Sequence, residues 1–195
     1  MPSHYTDVEK LLLQRWTDVR ALMTAYSELQ DSMEDMLTEV GDEFEKWAEQ
    51  RGYSFETDAR GAEYSMWKED WANRKNEPGI SFVVGGFVPD GYRKVKSDHP
   101  YVWVCTNPQA LRIKASLQNQ FAKDLRGSVG DDLKNWQDTD VEDTAPLGRY
   151  LRDYDDAQRL HWITSPASLS EFVKSAFEQL LPLAEPIDKV LKVYR

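Results

Sequence analysis

From Thr6 to Arg51 the chain repeats apolar residues at Leu12, Trp16, Val19, Leu22, Tyr26, Leu29, Met33, Met36, Val40, Phe44 and Trp47, with no proline and one glycine, Gly41. Between Val19 and Val40 the steps alternate three and four, which is a heptad seam on one helix face; the step to Phe44 shifts its phase. Thr6 followed by Glu9 is a capping-box start, and Arg51-Gly52 is a glycine stop. The pattern predicts a helix over about 6–51. At 1.5 Å per residue it would run ~68 Å, whereas a compact globule of this length is roughly 40 Å across. Either the helix breaks, near Ser27–Ser32 or at Gly41, or it overhangs its domain and packs on another chain. Leu11, Leu13, Met23 and Leu37 broaden the seam. The ordinary fate of such a stripe is burial in its own core.

The period then changes. Tyr53, Phe55 and Thr57 alternate with polar residues, predicting a strand; at Tyr64, Met66, Trp67 and Trp71 strand and helix periods both fit, and Glu63–Lys68 is read as a second strand. Ile80–Val88 is apolar on both faces and β-branched, a central strand whose Gly85-Gly86 pair marks a bulge or a close backbone approach. Pro89-Asp90-Gly91 reads as a turn, and Tyr101–Cys105 as another buried strand. Short connections in this order favour an antiparallel meander. A helix is expected to start at Asn107-Pro108 and end at Arg126-Gly127, carrying Ala110, Ile113, Leu117, Phe121 and Leu125. Residues 131–143 are acidic and loop-rich, and the pattern from Pro146 to Thr164 is ambiguous. Ser168 with Glu171 is a second capping box, Pro182 ends or kinks the helix it opens, and Ile187–Val193 forms a last short helix. The expected fold is α+β: one domain over 1–195, with a small antiparallel sheet of 3–5 strands packed against the long N-terminal helix and C-terminal helices.

Composition narrows the function classes. The 195 residues are 41% hydrophobic, enough for a core, yet no apolar run approaches the ~18–20 residues of a membrane span. Met1 to Leu13 lack a basic n-region, so a cytoplasmic protein is expected. Cys105 is the single cysteine, which excludes an intrachain disulfide. The net charge of −10 is uneven: residues 1–51 hold 12 acids and 5 bases, and residues 131–156 hold 9 acids and 3 bases. Phosphate binding needs clustered Lys and Arg, so direct nucleic-acid binding is not expected. Such acidic blocks ordinarily form a solvated exterior; the sharper alternative is an acidic mimic of DNA.

No phosphate loop, dinucleotide fingerprint or serine-hydrolase elbow occurs, and His4, His99 and His161 are isolated. Adjacent acids (Asp131 with Asp132, Asp138 with Asp140, Asp155 with Asp156) are the candidates for a divalent ion, and repelling loop carboxylates are their ordinary reading. No cofactor and no catalytic residue is assigned. Trp67, Trp71, Tyr92, Tyr101 and Trp103, with the basic Arg93, Lys94 and Lys96, form the candidate binding surface at the sheet edge. The seam Val19, Leu22, Tyr26, Leu29, Met33, Met36, Val40 and Phe44 is the candidate interface.

The order of segments GYSFET, AEYSMWKEDW, ISFVVGGF, PYVWVC and TSPASLSEFVKSAFEQLLPL, after a long acidic helix, resembles the C-terminal regions of PD-(D/E)XK-superfamily proteins from bacterial and phage genomes. The chain departs from that superfamily at the nuclease motif. Pro89-Asp90 reads as a turn, and Asp132-Leu133-Lys134 lies in an acidic loop. The resemblance therefore implies an accessory or recognition module of a defence-type system. The leading expectation is a non-catalytic binding or assembly protein that acts through protein contacts, as a homodimer; a metal-dependent nuclease-like enzyme is the alternative.

Overall fold

The computed structural model describes residues 5–58, 63–88, 99–128 and 145–194. Thr6 caps α1 (Asp7–Gln14) through the expected reciprocal pair: Glu9 N–H donates to Thr6 Oγ1 at 3.2 Å, and Thr6 N–H donates to Glu9 Oε2 at 2.6 Å. The helix departs from regular geometry at Arg15 (φ −109°, ψ 31°) and resumes as α2 (Trp16–Glu49). Arg15 N–H still donates to Leu11 C=O, and Val19 N–H to Arg15 C=O, so the two helices stay joined end to end. Of the alternatives the length left open, a break at Ser27–Ser32 or Gly41 does not occur: α2 passes through both without interruption. Gly41 serves close approach instead, since a Cβ there would collide with the Thr57 side chain on the first strand. Gly52, at φ +76°, turns the chain out of the helix.

Five strands follow as a meander, β1 (Tyr53–Asp58), β2 (Glu63–Lys68), β3 (Ile80–Gly85), β4 (Tyr101–Thr106) and β5 (Leu147–Tyr150), in sheet order 1-2-3-4-5 with every neighbour antiparallel. The expected strand over Ile80–Val88 is shorter, because Gly86 turns to φ +74° against the His99 carbonyl and ends the pairing. The helix expected from Asn107 also starts late. Asn107 Oδ1 does accept from Ala110 N–H, but Arg112 takes φ +59° and aborts the first turn, so α3 spans Gln118–Ser128. The ambiguous stretch before Thr164 resolves into β5 and α4 (Asp156–Thr164). The capping box expected at Ser168 is not used: α5 (Pro166–Leu180) starts at Pro166, and Ser168 Oγ instead meets Ser165 Oγ at 3.0 Å. Pro182 lies in a 3₁₀ turn that leads into α6 (Ala184–Tyr194).

Strand alternation sends Phe55, Tyr64, Met66, Phe82, Val84, Val102 and Val104 to one face of the sheet. There α2 lies against β1, and α5 against β3 and β4. Phe44 of α2 sits 6.4 Å from the Tyr64 ring and 6.3 Å from Phe177 of α5, which closes a three-layer contact. The Tyr64 hydroxyl donates to the Leu37 carbonyl at 2.6 Å, tying sheet to helix inside the core. These elements share one hydrophobic cluster with α6 and α3. The architecture is α+β, and no described helix is long and apolar enough to cross a membrane.

Candidate functional site

Two surfaces carry the residues singled out by sequence. On α2 the apolar seam divides by burial. Met33, Val40 and Phe44 are buried in the chain's own core and Met36 packs against it, whereas Leu22, Tyr26 and Leu29 are 71%, 41% and 44% exposed. Val19 is half-buried. The interface expected over the whole seam is thus corrected for its second half, whose side chains are already engaged within the chain. Leu22, Met33 and Phe44 are spaced by three full turns, so exposed and buried stretches are one continuous face. Among the described residues the buried side chains of that face begin at Met33, and the ~25 Å of α2 before it, preceded by α1, carries exposed apolar side chains. No residue of α1 is buried, and Leu11, Leu13, Trp16 and Met23 are each more than half exposed.

The second surface is the sheet face away from α2 and α5. Tyr101 and Trp103 alternate onto it from β4 and stack at 3.9 Å and 20°. Tyr150 of β5 meets both rings edge-on, at 6.4 and 5.8 Å. The rings lie flat because glycines sit beneath them: a Cβ at Gly85 would come within 2.5 Å of the Tyr101 ring, and one at Gly148 would strike Trp103. Trp67 shares this face and donates from Nε1 to Asn76 Oδ1 at 3.4 Å. The Tyr101 hydroxyl donates to Glu63 Oε2 at 2.6 Å. Burial raises the Glu63 carboxyl above the usual carboxylate range, Tyr101's hydrogen bond opposes this, and the charge of Asp58 adds to it. The Tyr101 phenol is raised by burial and then by the Glu63 charge, so it stays a donor throughout the physiological range.

Trp71 is a correction. It is fully buried on the opposite face, edge-on to Phe82 at 5.0 Å, and its indole N–H donates to Asp188 Oδ1 at 2.6 Å. Asp188 Oδ2 also takes Lys68 Nζ at 2.6 Å, so this cluster fastens α6 to the end of β2. Burial and the Asp188 charge push the neighbouring Tyr53 phenol up to about 12. Tyr92, Arg93, Lys94 and Lys96 lie outside the described residues, as do the Pro89-Asp90-Gly91 turn and the acid pairs at 131–132 and 138–140. Of the acid pairs inside, Asp155 caps α4 by accepting from Gln158 N–H at 2.9 Å, and Asp156 pairs with Arg159 Nη1 at 3.1 Å. Both are explained by helix chemistry. Among the described residues, no group of three or more His, Cys, Asp or Glu is placed to hold a metal ion.

Sequence reasoning passed over Tyr150, Glu63 and Arg159. The first two complete the aromatic face. Arg159 is 1% exposed, with Nε donating to the Gly86 carbonyl at 3.0 Å, and so anchors α4 to the end of β3. A small polar cavity of about 260 Å³ opens between β5 and α5. Its Arg149 is held by Gln179 of α5, and its Arg152 lies over the Tyr150 ring at 5.8 Å. No family model, curated protein or solved structure matches the chain.

Proposed function

We propose that the chain is a non-catalytic assembly protein that works through protein contacts made by its N-terminal helical arm, and that it associates with itself. The observation that carries this reading is the collinearity of the α2 face: Met33 to Ala48 cover the sheet, and the same stripe continues, exposed, through Leu29, Tyr26 and Leu22. Monomeric surfaces scatter single apolar residues; a contiguous stripe of this size marks an interaction site. Eight large apolar side chains between Leu11 and Leu29 are at least 41% exposed. At on the order of 100 Å² each they offer about the ~800 Å² per partner of a stable interface. The acidic exterior elsewhere keeps such a protein soluble and directs association to the arm. The resemblance to C-terminal regions of PD-(D/E)XK-superfamily proteins, which implies an accessory or recognition role, supports the same reading.

Light scattering coupled to size exclusion tests this reading. The expected mass is about twice 22.6 kDa at micromolar concentration, falling to one chain in the Leu22→Glu/Leu29→Glu variant. A wild-type chain that stays at a single mass at high micromolar concentration refutes the proposal.

A further inference from the structure

We infer that two copies of the chain pair their arms antiparallel, with residues i and j in contact where their numbers sum to about 41. This geometry rests on the assembly reading above and adds orientation and register to it. Three observations lead to it. First, the seam accepts a second copy reversed about a point between Arg20 and Ala21. Val19 then meets Leu22 of the second copy and Leu12 meets Leu29, while Trp16 falls beside Ala25 and Tyr26, so apolar side chains oppose one another along the exposed stretch.

Second, charge is graded along the helix. Residues 7–20 hold three acids and three bases, whereas residues 28–49 hold nine acids and only Lys46. A parallel, in-register pair would lay the acidic block of one copy along that of the other. Reversal places Glu28 and Asp31 beside the end that carries Lys10 and Arg15, with Lys10 opposite Asp31. Third, the seam from Met33 onward is already covered by the chain's own core. A parallel pair would need the two globular bodies side by side at that point. The antiparallel pair sends them to opposite ends, with the two Met33 residues ~38 Å apart along the arm. Hydrogen bonds from Arg15 N–H to Leu11 C=O and from Val19 N–H to Arg15 C=O join α1 to α2 across the irregular residue, and the Leu12–Leu29 pair extends the register over that junction.

Disulfide trapping in the full chain reads the orientation. In a Cys105→Ser background, which removes the native thiol, Leu12→Cys and Leu29→Cys chains are prepared separately, then mixed, allowed to exchange and oxidised with diamide. The expected result is a cross-linked dimer in the mixture and little in either chain alone, because a disulfide needs Cβ atoms about 3.5–4.5 Å apart. Val19→Cys mixed with Leu22→Cys should link in the same manner near the two-fold axis. Efficient self-linking of Leu12→Cys alone and of Leu29→Cys alone would establish the parallel arrangement and overturn this geometry, leaving the assembly reading intact. A dimeric mass with no cross-link in any combination moves the interface off the arm and overturns both. A single-chain mass at high micromolar concentration overturns the assembly itself, and the geometry with it.

Discussion

Glu63 accepts a hydrogen bond from a neighbouring face residue, the Tyr101 phenol, and is penalised by burial. Its folded-state pKa is raised, so the folded chain holds this proton more tightly than the unfolded chain does. Stability from this group is therefore full below the usual carboxylate range and declines as pH rises through the folded value. Glu63→Gln keeps an acceptor for Tyr101 and removes the charge. Urea unfolding should show the variant more stable than wild type at pH 7, with the gap closing at pH 4. An equal gap at both pH values would contradict the assignment. The glycines beneath the rings make a second test. Gly85→Ala and Gly148→Ala each force a methyl group against a ring held on its other side by its neighbour. Each should cost about 1–3 kcal/mol in the same measurement, as overpacking does.

At the scale of elements, α2 is one helix with two environments, and its junction with the sheet is specific. Gly41 lets the helix backbone approach Thr57, and Tyr64 bonds the Leu37 carbonyl one turn earlier. A glycine within a helix costs about 1 kcal/mol relative to alanine, a cost this close contact offsets. Gly41→Leu should therefore destabilise the fold by several kcal/mol, despite the better helix former, by prying α2 from β1. At the other edge, Asp188→Ala strips the partner from the buried Trp71 N–H and from Lys68. A loss of about 1–3 kcal/mol is expected from thermal or urea unfolding. Much of this layout was legible beforehand, since period marks α2, β1, β3 and β4 directly, whereas helix and strand periods both fit at β2. What escaped had physical reasons. The irregularity at Arg15 involves no glycine or proline, so nothing in the local sequence announces it. Asn107-Pro108 has sound capping chemistry, but the strained backbone at Arg112 stops the turn it begins. β5 is four residues long and contains Gly148, which reads as a breaker until the Trp103 ring above it is known. Trp67 and Trp71 are one helical turn apart in number, and the 3₁₀ turn over Glu69–Trp71 puts them on opposite sides of the sheet.

For the whole molecule, the division of the α2 seam matters most. Side-chain type could not disclose it, because Leu22 and Leu29 are as apolar as Met33 and Val40; only the extent of the sheet decides which half is covered. The Leu22→Glu/Leu29→Glu variant should accordingly keep the unfolding free energy of the globule within about 0.5 kcal/mol, as exposed substitutions do, while abolishing self-association. A large loss of fold stability instead would mean that the arm packs on its own domain. The rod itself has a further property. Buried among the core over its second half and carrying exposed apolar side chains over its first, it is a lever whose fulcrum is the rim of the core near Met33. Whatever grips its tip applies torque to the seat at Gly41 and Leu37, so amide exchange in β1 and β2 will register an event occurring tens of ångströms away.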